Sequence, residues 1–510
     1  MRRFTLLAVG CVLALASLSV VPSAQQSDAL KAAATALGAA NLKTLQFTGS
    51  GANFSVGQNF TPNDPWPRVT VKNYTASINY DTGSMRQELL REMGTTMPRG
   101  GGAPFTGEQR QIQVVGGTYA WNVPVAPPAP AGGAPAAGGG GRGGAPPPAP
   151  APAAAAERML FLWATPQGFV KAATTNNATM KKAGGGTEVS FTVGGKYKMT
   201  GTINAQNQVE RVRTWIDHPI VGDMLVETVY SGYKDFGGVM FPSRIAQTQD
   251  GYPSLDLTIS SVTANPAVDI TVPDNVRAFQ PPPVRVESQK MADGVFYLTG
   301  GTHHSLAVEM KDHIVLVDTP NDEVRALAVI AKTKELVPSK PIRYVVTSHH
   351  HWDHLGGIRT AIDEGATIVT HQTNKAFIER AAKTPHTINP DRLSMSKKGA
   401  KIQTVGEVGK LTDGTRTIEL YNITGYEHTA DMMMIYLPKE KILAEADAFS
   451  PPATPTTSVV VSAVPYAAAL YDNIQRRKLD VQTITPFHGG RTTDVAEVAR
   501  NAGKSATTAQ

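Results

Sequence analysis

The stretch Thr347-Ser-His-His-His-Trp-Asp-His-Leu-Gly-Gly357 sets the reading of everything around it. It follows directly on Ile342-Arg-Tyr-Val-Val346, a β-branched and aromatic run that reads as a strand. The cluster therefore begins where a strand gives way to a loop, a place that presents side chains from a rigid sheet. His349 and His351 are two residues apart, so an extended backbone turns both imidazoles to one side and His350 to the other. His350 is accordingly read as non-ligating. Asp353 and His354 can curl toward a second point, and Gly356 and Gly357 permit a tight turn into the next helix. Imidazole and carboxylate together suit zinc or a similar divalent metal. A chance histidine run on a solvated loop would explain three adjacent histidines, but neither the Asp-His after them nor the strand before them.

Working outward, twelve histidines occur in the chain and only His218 precedes residue 295. Three later segments each end a strand on a candidate ligand: Gly425-Tyr-Glu-His-Thr429 on His428, Ile442-Leu-Ala-Glu-Ala-Asp447 on Asp447, and Ile484-Thr-Pro-Phe-His-Gly-Gly490 on His488. Each alone is weak, because a lone histidine or strand-end aspartate is usually structural. Together with His349, His351, Asp353 and His354 they form an ordered set. That set resembles the metallo-β-lactamase-fold superfamily, whose signature is His-x-His-x-Asp-His after a strand, followed by Gly-x-x-His-Thr, a bridging aspartate and Pro-x-His-Gly. The resemblance runs over residues 290–492.

The resemblance implies an α/β fold, an αββα sandwich over 285–510, and two metal sites. His349, His351 and His428 would hold the first metal, Asp353, His354 and His488 the second, and Asp447 would bridge them. Two zinc ions are expected, with iron or manganese as substitutes, and a hydroxide between them would attack an electrophilic centre. Asp353 is the catalytic candidate, accepting the proton after attack. Asp318 ends a buried strand, where it either orients a histidine ligand or caps the strand. His303 and His304 follow Gly300-Gly301 on a turn, facing substrate or solvent. His371 and His386 are assigned no role.

Cys11 is the only cysteine and falls in the expected export signal, so a mature chain has no thiolate ligand and no disulfide. Lactamase subclasses that use a cysteine ligand are thereby excluded. Asp447 instead resembles the bridging residue of thioesterases, lactonases, phosphodiesterases and alkylsulfatases. The leading expectation is an exported zinc hydrolase of an ester, lactone or thioester. The alternatives are a β-lactam hydrolase, a single-iron persulfide dioxygenase, and a non-catalytic carrier of a hydrophobic molecule.

The rest of the chain bounds these expectations. A length of 510 residues calls for two or three domains, and 41% hydrophobic with 18% charged residues suits a soluble globular chain. Arg2-Arg3, the apolar run 4–21 and Pro22-Ser23-Ala24 read as a cleaved signal peptide, residues 1–24, which directs the chain to the periplasm or outside the cell. Its removal takes Lys+Arg from 48 to 46 against 42 acids, a net +4. No basic stripe results, so nucleic acid is not an expected partner; no later segment is apolar enough to span a membrane, and oligomeric state is unreadable.

Residues 28–283 alternate in strand fashion, as in Arg68-Val-Thr-Val-Lys72, Gln111-Ile-Gln-Val-Val115 and Leu255-Asp-Leu-Thr-Ile-Ser260. They read as one antiparallel β-rich domain with a possible helix over 168–183. Its stretch Tyr230-Ser-Gly-Tyr-Lys-Asp-Phe-Gly-Gly-Val-Met-Phe-Pro-Ser-Arg244 resembles the half-barrels of periplasmic lipoprotein carriers. A Pro/Gly/Ala-rich insertion, 124–156, reads as a flexible or extended loop, and Gln280-Pro-Pro-Pro-Val284 as a stiff joint. Helices are predicted at Glu323–Leu336, 372–383 and 466–478. Loops 384–398 and 450–465 are expected to line the metal pocket.

Overall fold

The computed structural model describes residues 23–94, 98–102, 105, 107–125, 146–460 and 465–504, the side chains of 23–27 excepted. The expected export signal, apart from its last two residues, and most of the 124–156 insertion lie outside the described residues.

Strands between Thr44 and Ala264 form a single thirteen-stranded sheet in which the first strand, Thr44–Phe54, pairs with the last, Tyr252–Ala264. Every pairing in this sheet is antiparallel. Alternation explains the burial. Arg68–Asn79 hides Val69 and Val71, then shifts phase and hides Tyr74, Ala76 and Ile78. The shift coincides with a bulge between Val71 and Asn73, which inserts one residue and exchanges the faces. Helices Ala155–Ala164 and Pro166–Thr175 bring Leu160, Leu162, Phe169 and Val170 into the core cluster that also holds the sheet's Phe47, Tyr74 and Phe241. Each such side chain contributes about 1.5–3 kcal/mol by leaving water. A cavity of about 360 Å³ remains among sheet and helix, and its lining includes Tyr74, Gln87, Arg158, Gln247 and Gln249. That lining offers hydrogen bonds as well as apolar surface.

The proline-rich joint around 280–285 is exposed and carries no regular structure. Beyond it lie a seven-stranded sheet, from Glu287–Ala292 to Lys401–Val405, and a five-stranded sheet, from Val408–Thr412 to Thr483–Pro486. The strand Ile314–Val317 shows the layering directly. Ile314 and Leu316 join a cluster with Val329, Ile358 and Ile378 of the helices Glu323–Leu336, Ile358–Glu364 and Lys375–Lys383. Val315 and Val317 point the other way, into a cluster with Leu420, Ile435 and Leu443 of the second sheet. Leu470 and Ile474 of Pro465–Arg476 and Val498 of Val495–Asn501 belong to that second cluster too. The domain is an α/β sandwich of helices, sheet, sheet and helices.

The parallel pairs position the site. Ile314–Val317 runs parallel to Ile342–Val346, and Ile442–Glu445 runs parallel to Thr483–Pro486. Asp318, the histidine cluster, Asp447 and His488 all lie just past the carboxyl ends of these strands, where α/β sheets present functional groups.

Two sequence expectations need correction. The helix expected over 168–183 is instead Pro166–Thr175 followed by a strand, Thr179–Ala183, because Asn176 and the left-handed Asn177 (φ 49°) end it. The low-complexity stretch is not wholly loop: Ala149–Pro150 pairs with Trp121 and Asn122, and the alanines from Ala155 begin a helix. Of the two loops expected beside the metal pocket, 450–465 places Pro451 against Gly489, next to His488, and both have further anchors. Asp223 accepts from Thr387 N (2.9 Å) and Asn389 reaches Asp217 (3.0 Å), which docks the first loop on the N-terminal sheet. Thr456 N and Val460 N bond to Glu497 and Arg500, docking the described part of the second on the last helix.

Candidate metal centre

The structure brings all seven predicted ligands together in two adjoining groups of donors. His349, His351, His428 and Asp447 offer atoms within 4.8 Å of one another, and so do Asp353, His354, His488 and a further residue, His303. Asp447 connects the groups. Its Oδ2 lies 3.1 Å from His349 Nε2 and 2.9 Å from His428 Nε2. Its Oδ1 lies 3.4 Å from His354 Nε2 and 2.5 Å from His488 Nε2.

Hydrogen bonds behind the imidazoles decide which nitrogen faces inward. Ser348 Oγ donates to Asp318, so it accepts from His349 Nδ1–H (3.1 Å), leaving Nε2 for the centre. His354 Nδ1–H donates to Asp318 Oδ2 (2.9 Å), likewise freeing Nε2. Asp318 thus orients one candidate ligand and, through Ser348, a second, and it adopts a left-handed backbone (φ 57°) to do so. His351 Nε2–H donates to the Asn59 carbonyl (2.9 Å), and its Nδ1 has no hydrogen-bond partner. Two buried imidazole nitrogens, His351 Nδ1 and His349 Nε2, thus lack a hydrogen bond, a costly arrangement without a Lewis acid to meet them. The donor set fits a divalent metal.

Electrostatics agree with that chemistry. Burial pushes His349 and His351 below the usual imidazole range, with neighbouring histidine charge adding to it, so both are neutral and able to ligate. Burial would raise Asp447, but the imidazoles gathered around it, His354 foremost, outweigh it and hold the carboxyl well below its ordinary range. The same competition, led by the His303 hydrogen bond, keeps Asp353 ionised. The donors are unequally covered: His349, His351 and His354 are sealed, whereas the side chains of Asp353 and His488 are 34% and 23% exposed. The open side is the second group.

Gly356 and Gly357 serve a different end from the one read in the sequence. Gly356 has φ −54° and Gly357 φ −99°, ordinary values for any residue. A Cβ on Gly356 would lie 1.7 Å from the Asn321 carbonyl oxygen, and one on Gly357 2.2 Å from Ala326 Cβ. Glycine is required there for room.

Residues 298–488 match the model of the metallo-beta-lactamase superfamily. This segment is a metallo-β-lactamase superfamily domain. No curated protein matches the chain. Among solved structures, a metallo-beta-lactamase from Pontibacter korlensis is similar at 21% identity and TM-score 0.33, over 43% of this chain and 97% of that one. FIM-1 from Pseudomonas aeruginosa, in a mono-zinc form, is similar at 20% identity and TM-score 0.34, over 44% and 95%. A metallo-beta-lactamase from Hirschia baltica is similar at 20% identity and TM-score 0.32, over 43% and 96%.

Several residues of the metallo-β-lactamase domain's centre escaped the sequence reading. His303, left there between substrate and solvent, places Nε2 3.1 Å from Asp353 Oδ2 while Thr302 Oγ1 holds its Nδ1 at 2.8 Å. His304 is buried against Tyr297, whose hydroxyl meets its Nδ1, so it is structural. His350 lies outside both donor groups and pairs with the buried Asp431 at 2.7 Å. Gln58, Asn59 and Gly101 of the N-terminal region reach the centre with no motif to mark them.

Proposed function

We propose that the chain is an exported, binuclear zinc-dependent hydrolase that opens an ester, lactone or thioester. One observation carries the binuclear reading: Asp447 divides its two oxygens between the two donor groups. His349, His351 and His428 would hold one ion, Asp353, His354 and His488 the other, and Asp447 both. Zinc bound there would supply a water ionised near neutral pH and polarisation of the substrate oxygen. The chain's own residues supply the rest. Asp318 and Ser348 fix the tautomers of His354 and His349, so the donors are set before substrate arrives. Asp353, ionised and partly exposed, is placed to take up the proton released in hydrolysis and lies within reach of His303 Nε2. Substrate approaches from the side of Asp353 and His488, because the other donors are sealed. Export rests on the Arg2-Arg3 and apolar pattern of residues 1–24. Among the described residues no helix is long and apolar enough to cross a membrane.

The test is metal content per chain, followed by a screen of esters, lactones, thioesters and β-lactams. Two zinc ions per chain are expected, with kcat/KM falling on the order of 10³-fold in both Asp447→Ala and His351→Ala. Hydrolysis that survives both substitutions would sink the assigned site. A single iron per chain would replace hydrolysis with sulfur oxidation.

A further inference from the structure

The first donor group is closed off by the N-terminal region of the same chain. Two segments do this, a loop near Gly57–Phe60 and a turn at 99–101. The Asn59 carbonyl accepts His351 Nε2–H at 2.9 Å, and the Gly101 carbonyl accepts His428 Nδ1–H. Gln58 Nε2 donates to Asp353 Oδ1 at 3.0 Å, so the second group is touched as well. Asn59 Oδ1 accepts from His350 Nε2 at 3.2 Å while its amide donates to the Asp64 carbonyl at 3.1 Å, which holds the loop in register.

The segments are fastened to the metallo-β-lactamase domain independently of those bonds. Ala430 N bonds to Phe60 O (2.9 Å) and Gly100 N to Glu427 O (2.7 Å), one on each side of His428. Gly101 N bonds to Gln58 O (2.7 Å), tying the two segments to each other. Arg99 pairs with Glu427 at 2.9 Å and lies 3.6 Å over the Phe60 ring. Trp352, set between His351 and Asp353 in the motif, packs edge-on against Trp66 at 5.4 Å and against His218 at 4.2 Å. Gly57 adopts φ +74°, and a Cβ there would lie 2.5 Å from the Trp352 ring.

We infer that the N-terminal β-region completes the metal centre, its Asn59 and Gly101 carbonyls fixing the ring orientation and tautomer of two of the first metal's three histidines. This rests on the reading of His351 and His428 as ligands. With Nε2–H committed to Asn59, His351 has only Nδ1 to offer, and that atom is the buried one without a partner. With Nδ1–H committed to Gly101, His428 offers Nε2, the atom already facing Asp447. An imidazole held this way is the better ligand, and loss of such support costs about 10–100-fold in metal affinity. The two regions are then not an enzyme with a separate carrier attached, because two of the first site's three histidines are oriented from outside the domain that bears them.

The experiment uses the full chain and zinc alone, titrated against a chromophoric chelator. Asn59→Ala loosens the loop without touching a ligand, and Gly57→Ala pushes it away from Trp352. The wild type is expected to bind two equivalents. Both variants should bind one of them about 10–100-fold more weakly and leave the other near its wild-type affinity. Histidine-selective nitrogen NMR of the zinc-loaded wild type should show His351 protonated at Nε2 and ligated through Nδ1. Should Gly57→Ala not fold, Asn59→Ala and the NMR tautomer still decide. Two equivalents bound with wild-type affinity by folded Asn59→Ala, or His351 ligated through Nε2, would overturn the inference while leaving the zinc reading intact. A wild type that takes up no zinc would instead overturn the ligand reading beneath it.

Discussion

His303 is the residue whose position most changes what the centre can do. Its Nε2 joins Asp353, His354 and His488 in the open donor group, and Thr302 orients it from behind just as Asp318 orients His354. Burial lowers its pKa, the hydrogen bond to the Asp353 carboxylate opposing, and its Nε2 serves either a metal or Asp353. These roles separate experimentally. If His303 ligates, His303→Ala should weaken one zinc equivalent about 10–100-fold, as loss of a tuned interaction at a metal site does, and leave the buried equivalent alone. If it serves only Asp353, both equivalents will bind as before and the loss will fall on kcat. Titration of zinc into the variant beside a hydrolysis assay distinguishes the two. In sequence, His303 is one of two adjacent histidines on a turn, and nothing there tells it from His304, which turns inward to Tyr297 instead.

Among the elements, the short helix Ile358–Glu364 after the motif has the task of holding Gly356 and Gly357 against their neighbours, and a buried ion pair anchors it. Arg359 meets Asp391 through two hydrogen bonds, one of 3.0 Å, and also reaches the Ala381 carbonyl at the end of Lys375–Lys383. Asp391 in turn caps Arg392–Ser396 by accepting from Ser394 N. Asp391→Asn leaves a buried guanidinium without its charge partner, which should cost roughly 3 kcal/mol in urea unfolding at pH 7. Burial raises the Asp391 carboxyl, but Arg359 outweighs it and holds the pKa down to about 2, below the unfolded carboxylate value of about 3.9. A depressed carboxyl stabilises the fold fully above its unfolded pKa and loses that effect as pH falls through the folded one. The gap between wild type and variant should therefore be constant from pH 7 to about 5, shrink below about 4, and close near 2. A gap that persists at pH 2 would mean that the cost is packing and not charge. This pair links residues 32 apart through a loop with no periodicity, which is why the sequence places helices at Glu323–Leu336 and near 466–478 yet is silent about what ties them to the motif. The clustering of the donors is legible for the opposite reason. Asp447 and His488 each follow a short apolar strand, and strand ends are visible in the residue pattern itself.

For the whole molecule the question is whether the N-terminal sheet and the metallo-β-lactamase domain behave as one body. A chain of 510 residues, with three sheets among its described residues, would by default unfold in steps. Two features oppose that. A single apolar cluster runs from Phe47, Tyr74 and Phe241 of the N-terminal sheet to Val329, Ile358 and Ile378 beneath the histidine motif. The loop near Asn59 is joined to His351 across 292 residues of sequence. Long-range bonds of that kind leave no trace in composition or periodicity. Only the tryptophan between two ligands, an aromatic with no role in metal binding, hints that the motif's surface is covered. Thermal unfolding of the zinc-loaded chain should then be one transition, with the fluorescence of its five tryptophans, Trp66 and Trp352 among them, coinciding with far-UV circular dichroism. Chelation should lower the midpoint of that single transition. Free metal at 1,000 times its dissociation constant stabilises the folded state by about 4.1 kcal/mol, and the loops that share the histidines transmit the loss to both halves. Two transitions, of which zinc moves only the later, would mean that the sheet and the metal domain fold independently and that the contacts at Asn59 and Gly101 follow the metal without supporting it.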